Sequence, residues 1–241
     1  ECQGKPHYYK GYTLRQLRNW IKKRFHRRLS LERIRQLLHK MGFVRRKPSY
    51  VYVKSDQAAQ VAFLKQFEAV MQREDIRRGE TLVIFIDAAT FREHPTLTRV
   101  WAPKGVRPRV PTNGGHRSVK LLGALVWGHG SVRYQEYSRY TSASVIDFLE
   151  YLRQCFPNKR LLIILDNARP HTSRQLKAFV ALQQAWLELM YLPKYSPQLN
   201  PVEQLWRWLR EQVTHNRYYS SWSLLLSSIR RFFRQIQRCP A

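Results

Sequence analysis

Acidic residues are scarce in this 241-residue chain, which has 16 Asp and Glu against 43 Lys and Arg and a formal net charge of +27. An excess of positive charge on this scale indicates a polyanionic partner. A membrane surface is the weaker alternative, because no terminal segment combines a basic face with a continuous apolar face. No apolar run is long enough to span a bilayer, and 44% hydrophobic residues exclude a disordered chain. We therefore expect a soluble globular protein.

Cysteine is also scarce, and Cys2, Cys155 and Cys239 are scattered along the chain. No Cys-x-x-Cys motif or Cys/His cluster is present, so the sequence suggests neither a disulfide framework nor a zinc site, and a reducing compartment is expected. There is no signal peptide, and the first residue is Glu1 rather than Met. We expect the natural product to begin upstream.

The positive charge is concentrated in residues 1–50, which contain 15 Lys or Arg and two acids. Thr13 and Ser30 each precede apolar residues at helical spacing, and Gly42 ends the second run, so residues 1–44 predict a helix-turn-helix domain. The polar face of the second helix would contact DNA, through Arg33, Arg35, Gln36, His39 and Lys40. The alternative is an ordinary helical hairpin with a solvated basic face.

Residues 45–75 predict a basic linker followed by a connecting helix at about 58–73. Arg45, Arg46 and Lys47 precede Pro48 in a non-helical stretch that could follow a phosphate backbone.

Residues 76–241 predict an α/β domain with the element order β-β-β-α-β-α-β-α. The strands are expected at 81–87, 118–127, 131–137, 160–166 and 187–191, with a long irregular excursion at 88–117. Helices are expected at 143–155, at about 173–184, from Glu203, and at about 221–237. This order matches a ribonuclease-H-like sheet, in which the first and fourth strands are neighbours.

Three of the scarce acids lie where such a sheet would bring them together. Asp87 and Asp166 each close an apolar run, and Glu203 lies at the start of a predicted helix. Neighbouring carboxylates raise one another's pKa, whereas two divalent cations about 4 Å apart would remove that penalty and could hold a phosphate for in-line attack. The pattern indicates a two-metal site.

Each acid also has a purely structural interpretation. An Asp after a strand can cap the following turn. Asn200, Pro201 and Glu203 fit a helix-capping box with Asn as the N-cap and Glu three residues later. His171 could orient a phosphate or water near Asp166, or could be structural.

The segments LDNARPH at 165–171 and YLPKYSPQLNPVE at 191–203 resemble the catalytic signature of mariner-superfamily transposases, in particular the bacterial insertion-sequence branch. The segment RVWAPKG at 99–105 is similar to the region after the first Asp in that family, and the resemblance covers about residues 10–215. Asp166 and Glu203 are separated by 36 residues, slightly more than is common among relatives, which leaves the target preference open.

The resemblance implies a cut-and-paste DNA transposase with Asp87, Asp166 and Glu203 as metal ligands and with Asn167 and His171 in a supporting shell. Asp87 would bridge two Mg²⁺ ions, for which Mn²⁺ can substitute, and the other two acids would each complete one site. The implied partner is double-stranded DNA, both transposon inverted-repeat ends and a TA target, bound by a homodimer in the bacterial cytoplasm at the nucleoid.

The family carries two helix-turn-helix units and only one is visible here, so we expect a missing N-terminal unit of about 60 to 100 residues. Two other functions stay open. One is a ribonuclease-H-like nuclease without strand joining, and the other is a non-catalytic DNA-binding regulator derived from a transposase.

Overall fold

The computed structural model describes residues 13–44, 56–103 and 107–238, and the chain divides into two compact units, residues 1–51 and 52–241. No helix within the described ranges combines the length and apolar character needed to cross a membrane. The domain boundaries drawn from the sequence stay a prediction.

The first unit contains the two predicted helices, α1 (Leu14–Phe25) and α2 (Leu31–Lys40). Thr13 and Gln16 form a reciprocal capping box at the start of α1, since each side chain accepts a hydrogen bond from the backbone N–H of the other residue. Ser30 Oγ accepts from the Arg33 N–H at 3.1 Å and starts α2. Of the described residues in this unit, Ile34 alone is fully buried. Local capping therefore determines these helices more than core burial does.

The second unit begins with helices α3 (Gln57–Met71) and α4 (Glu74–Arg77), and its sheet has five strands. The strands are β1 (Thr81–Arg92), β2 (Ser118–Val126), β3 (Val132–Tyr137), β4 (Arg160–Leu165) and β5 (Leu187–Tyr191). The remaining helices are α5 (Ser142–Cys155), α6 (Arg174–Leu182), α7 (Val202–Leu209) and α8 (Trp222–Arg238).

The strand order is β3-β2-β1-β4-β5, with β1, β4 and β5 parallel and β2 antiparallel to its neighbours. The predicted ribonuclease-H-like arrangement is therefore confirmed, because β1 and β4 are hydrogen-bonded neighbours. Their register pairs Val83 with Leu162 and Phe85 with Ile164. That pairing brings the carboxyl end of β4 beside the middle of β1.

Helices cover both faces of the sheet. Val83 and Phe85 face a core shared with α3, α7 and α8, whereas Ile84 and Ile86 face a core shared with α5 and α6. This alternation follows from the two-residue period of a strand, and strands buried on both faces become continuously apolar. Each fully buried Leu, Ile or Phe contributes about 1.5 to 3 kcal/mol relative to exposure. The sheet end that holds the acids thus rests on a rigid scaffold.

The predicted end of β1 at Asp87 is wrong, because β1 continues to Arg92. Residues beyond Asp87 pair with β2 as far as Arg92 opposite Ser118, and Ala89 and Phe91 are buried on the continuing strand. The irregular excursion therefore begins at residue 93. The short helix α4 and a single π-helical turn at Arg210–Thr214 were not predicted either.

Candidate active site

Asp87 and Asp166 lie at the same edge of the sheet. The parallel pairing of β1 with β4 ends at Phe85 and Ile164; Asp87 lies two residues farther along β1, and Asp166 follows the last residue of β4. Asp87 is half-buried, and its position inside a strand excludes the turn-capping interpretation. We call this place the acidic edge.

The third acid, Glu203, is brought to the acidic edge by Asn200. The buried Asn200 side chain donates from Nδ2 to the Ile86 carbonyl at 3.1 Å and accepts at Oδ1 from the Val202 N–H at 3.1 Å. One amide thus ties the first turn of α7 to β1 beside Asp87. Glu203, the second residue of α7, is exposed there.

The predicted capping box does not form in full. The N-cap of α7 is Pro201 rather than the predicted Asn200, although Asn200 Oδ1 accepts from the Val202 N–H. The Asn200 N–H donates to the Pro197 carbonyl at 2.9 Å, so it is not available to the Glu203 carboxylate. Across the described residues Glu203 makes no side-chain capping bond at the start of α7. Helix capping therefore does not explain an acid at this position.

The three acids interact electrostatically. Burial and the negative charges of Glu203 and Asp166 together raise the pKa of Asp87 to about 7, although the Ala88 and Trp206 N–H groups act in the opposite direction. Within the described ranges none of the three forms an ion pair with Lys or Arg. Among the described residues, the acidic edge thus has no Lys or Arg partner, although the chain is strongly basic.

The pKa of Asp166 is shifted in the opposite direction from that of Asp87. Desolvation opposes ionisation, but His171 Nδ1 at 2.6 Å and the Ala168 N–H at 3.0 Å outweigh it, so the pKa of Asp166 is lowered. Its side chain remains 51% exposed, whereas His171 is buried. The exposed carboxylate is therefore held in its ionised form by donors behind it.

Behind His171 lies Tyr140, which the sequence did not indicate. The Tyr140 hydroxyl is 2.6 Å from His171 Nε2, and burial followed by the charges of Asp166 and Asp87 raises the pKa of the phenol. A protonated phenol donates to Nε2, which leaves the Nδ1–H to donate to Asp166. The Tyr191 hydroxyl donates a hydrogen bond to the His171 carbonyl oxygen at 2.8 Å. No local pattern could have identified Tyr140, since it lies 31 residues from its partner.

Asn167, predicted to support the site, ties two strand ends together. Its Nδ2 donates to the Leu192 carbonyl at 2.6 Å. This hydrogen bond joins the segment after β4 to the residue that follows β5. Among the hydrogen bonds of the described residues, none joins Asn167 to the three acids.

The donor set of the acidic edge fits a hard divalent cation. Carboxylate oxygens are the ligands that Mg²⁺ and Mn²⁺ prefer, and a cation would offset the repulsion that raises the pKa of Asp87. The side chains do not form a closed cage, because in the described part of the chain no three His, Cys, Asp or Glu are arranged to hold one ion.

The predicted DNA-reading face of α2 is exposed at all five of its positions, Arg33, Arg35, Gln36, His39 and Lys40. Two of them have an intrahelical partner that the sequence reading did not consider. Arg35 Nε donates to Glu32 Oε2 at 2.8 Å, and Gln36 Nε2 is 3.4 Å from Glu32 Oε1. Arg45, Arg46 and Lys47 lie outside the described residues.

Comparison with known families matches both parts of the chain. The model of the DDE superfamily endonucleases matches residues 82–225, which include all three acids, and a winged helix-turn-helix model matches residues 11–67. An uncharacterised 39 kDa protein of insertion element IS630 from Shigella sonnei is 29% identical over 177 residues, covering 73% of this chain and 51% of that protein. An uncharacterised protein, y4pE/y4sA, from Sinorhizobium fredii is 36% identical over 61 residues, 25% of this chain and 42% of its own length. The chain thus spans about half or less of these relatives.

Solved structures of the Mos1 mariner transposase share the fold. The paired-end complex with the left transposon end aligns over 97% of this chain and 74% of the Mos1 chain, with a TM-score of 0.63 and 16% identity. The isolated Mos1 catalytic domain aligns over 78% of this chain and 85% of its own length, with a TM-score of 0.52 and 13% identity. These likenesses concern the fold, and they agree with the topology described above.

Proposed function

This chain belongs to the DDE superfamily of endonucleases, and on that premise we propose that it is the DNA-cleaving and strand-joining part of a mariner-type transposase. The observation that carries the proposal is the acidic edge. There Asp87 lies in β1 just past the pairing with β4, Asp166 follows β4, and Asn200 ties the Glu203 helix to β1. A regulator without catalysis would have no need to hold together three acids that have no Lys or Arg partner among the described residues.

The three acids would hold two Mg²⁺ ions, or Mn²⁺ in their place. Metal ions bound there would act as Lewis acids that stabilise both the attacking and the leaving oxygen of a phosphodiester. The same acids can serve cleavage at a transposon end and joining to a target, because both steps are attacks by an oxygen on phosphorus. Asp166 is kept ionised by His171, and Tyr140 fixes the tautomer and the orientation of that imidazole.

DNA would be bound by the basic first unit and by the surface around the acidic edge. We propose that the exposed face of α2 reads transposon-end sequence, that Arg45, Arg46 and Lys47 contact phosphates, and that the protein acts as a homodimer on paired ends with a TA target. Mos1 has been solved with transposon ends and with Mg and Mn, which supports this choice of partner and metal.

The test is a cleavage and strand-transfer assay on a duplex that carries the inverted repeat found beside the coding sequence. The wild type should cut and join in Mg²⁺ or Mn²⁺ and bind without turnover in Ca²⁺, because the larger ion fits two-metal geometry poorly. Asp87→Asn, Asp166→Asn and Glu203→Gln should still bind the duplex but lose both reactions. Asp147→Asn, which alters an acid bonded to the Tyr137 hydroxyl, is the control and should stay active.

Cleavage without joining would identify a nuclease instead. A Glu203→Gln protein that cut at the wild-type rate would contradict the proposed ligand set.

A further inference from the structure

Trp206 contacts the acid at the centre of the proposed site. Its indole Nε1–H donates to Asp87 Oδ2 at 2.9 Å, and its side chain is only 1% exposed. Trp206 lies three residues after Glu203 on α7, a spacing that places two side chains on the same side of a helix. One helix therefore brings an acid to the edge and a hydrogen-bond donor to the neighbouring acid.

Gly123 provides the space that the indole occupies. It is the β2 residue directly opposite Asp87, and a Cβ atom at this position would lie 2.6 Å from Cη2 and 2.7 Å from Cζ2 of Trp206. Its backbone is not in the left-handed region, so glycine is needed here for room rather than for conformation. Phe91 and Phe233 pack edge-on against the ring, with centroids 6.2 and 6.5 Å away.

This contact restricts the orientation of the Asp87 carboxylate. The terminal torsion of Asp is broad, so a carboxylate held only by its backbone samples many orientations. A donor fixed in a packed core removes that freedom, yet it uses only one lone pair of Oδ2. The donor is also neutral, so it orients the carboxylate without neutralising the charge that a cation would bind.

We propose that Trp206 is a positioning residue for divalent-cation binding, which fixes the Asp87 carboxylate from a space that Gly123 keeps open. The inference rests on the proposed function, because it assumes that Asp87 is a metal ligand. Residues that orient metal ligands typically change metal affinity by about 10- to 100-fold when they are replaced.

The experiment measures Mn²⁺ binding directly, by electron paramagnetic resonance of the free ion, on wild type and Trp206→Phe without DNA. Phe keeps an aromatic ring in the core but loses the N–H, and we expect affinity to fall about tenfold or more. Trp186→Phe is the matched control. It also removes an indole hydrogen bond to a side-chain oxygen, Gln183 Oε1 at 2.7 Å, but next to the amino-terminal ends of β4 and β5.

A second measurement does not depend on any Trp206 variant folding. With ¹⁵N-indole tryptophan, the seven tryptophans give separate N–H resonances. The resonance that is missing from Trp206→Phe identifies the Trp206 indole. We expect this resonance to shift in Asp87→Asn and when Mn²⁺ or Mg²⁺ is added to the wild type. The Trp186 resonance should not shift. Gly123→Ala should displace the same resonance and weaken Mn²⁺ binding.

Two outcomes would overturn the inference: equal Mn²⁺ affinity in wild type and a folded Trp206→Phe, or no indole resonance that responds to Asp87→Asn. DNA cleavage tests the proposed function separately. A wild type that binds Mn²⁺ through this contact but does not cleave DNA would contradict the function and leave the positioning role intact.

Discussion

Two acids, Asp75 beside the first residue of β1 and Asp87 within the strand, have opposite surroundings. Asp75 accepts hydrogen bonds from Arg73 and from the Thr81 hydroxyl, which together lower the pKa of Asp75 to about 2. Farther along the strand, burial and the charges of Glu203 and Asp166 raise the pKa of Asp87 to about 7. An acid that is paired with an arginine stabilises the fold. An acid grouped with two other acids lowers stability until a cation binds, and such an arrangement indicates a functional site.

The comparison is tested most strongly by metal-dependent stability. Saturating Mg²⁺ should raise the melting temperature of the wild type, since a ligand at a hundred times its Kd adds about 2.7 kcal/mol. Asp87→Asn should lose most of this gain, because it removes a ligand charge, yet it should melt no lower than wild type in EDTA. Asp75→Asn should melt lower in EDTA but keep the full Mg²⁺ gain. Differential scanning calorimetry with and without Mg²⁺ measures both.

If Asp75→Asn also lost the Mg²⁺ gain, the surroundings of Asp75 and Asp87 would not be independent. Glu74→Gln, which alters an exposed ion pair with Arg78 beside Asp75, is the control and should behave as wild type.

The donors behind Asp166 give the next largest effect. Tyr140→Phe removes the hydroxyl that lies 2.6 Å from His171 Nε2, and we expect DNA cleavage to slow about tenfold, as loss of one buried hydrogen bond of about 1 to 2 kcal/mol would do. Tyr137→Phe loses a similar bond, to Asp147 at 2.7 Å, and should keep the wild-type rate. Single-turnover rates at saturating Mg²⁺ and DNA separate this effect from binding. Equal slowing of both variants would mean that only packing is disturbed.

The contribution of Asp75 to the free energy of unfolding should depend on pH. The pKa of Asp75 is lower in the folded chain than its ordinary value of 3.8, so its contribution is present above about pH 4 and is lost as pH falls toward about 2. At pH 7 we expect Asp75→Asn to reduce the free energy of unfolding by about 1 to 2 kcal/mol. The difference from wild type should shrink steadily between pH 4 and pH 2 in urea titrations. A difference that did not change with pH would point to lost packing rather than lost charge.

The sequence predicted most of what is local. The caps at Thr13 and Ser30 depend on residues three positions apart, and the helices begin where those pairs indicate. The strands were located from apolar runs, and their order followed from the match of the element order to a ribonuclease-H-like sheet. By contrast, the end of β1 was misplaced because pairing with β2 continues past Asp87, and this pairing depends on residues more than 20 positions away.

The finer parts of the site depend on contacts that no local pattern encodes. Trp206 and Asp87 are 119 residues apart, and their hydrogen bond requires a glycine on a third element, β2. Tyr140 reaches His171 across 31 residues. The acids themselves could be located from the sequence because charge is conspicuous after an apolar strand, whereas tyrosine and tryptophan are ordinary core residues.

The smallest expected effect concerns Glu32, an arginine-paired acid in the basic first unit. Glu32 accepts from Arg35 and Gln36, two of the proposed DNA-reading residues, and the hydrogen bond from Arg35 lowers the pKa of Glu32. Glu32→Gln removes a negative charge from α2 and releases Arg35, while the Ser30 cap remains. We expect affinity for every duplex to rise a few-fold, because phosphate attraction is largely independent of sequence.

The measurement is fluorescence anisotropy with transposon-end and scrambled duplexes at matched salt, with Glu74→Gln as a control in the second unit. An equal gain in affinity for both duplexes would mean that the pairing of Glu32 with arginine is structural, as it is for Asp75. Lower affinity for the end duplex alone would contradict this expectation. It would mean that Glu32 holds Arg35 and Gln36 in the orientation that reads bases, and an arginine-paired acid would then serve function as well as stability.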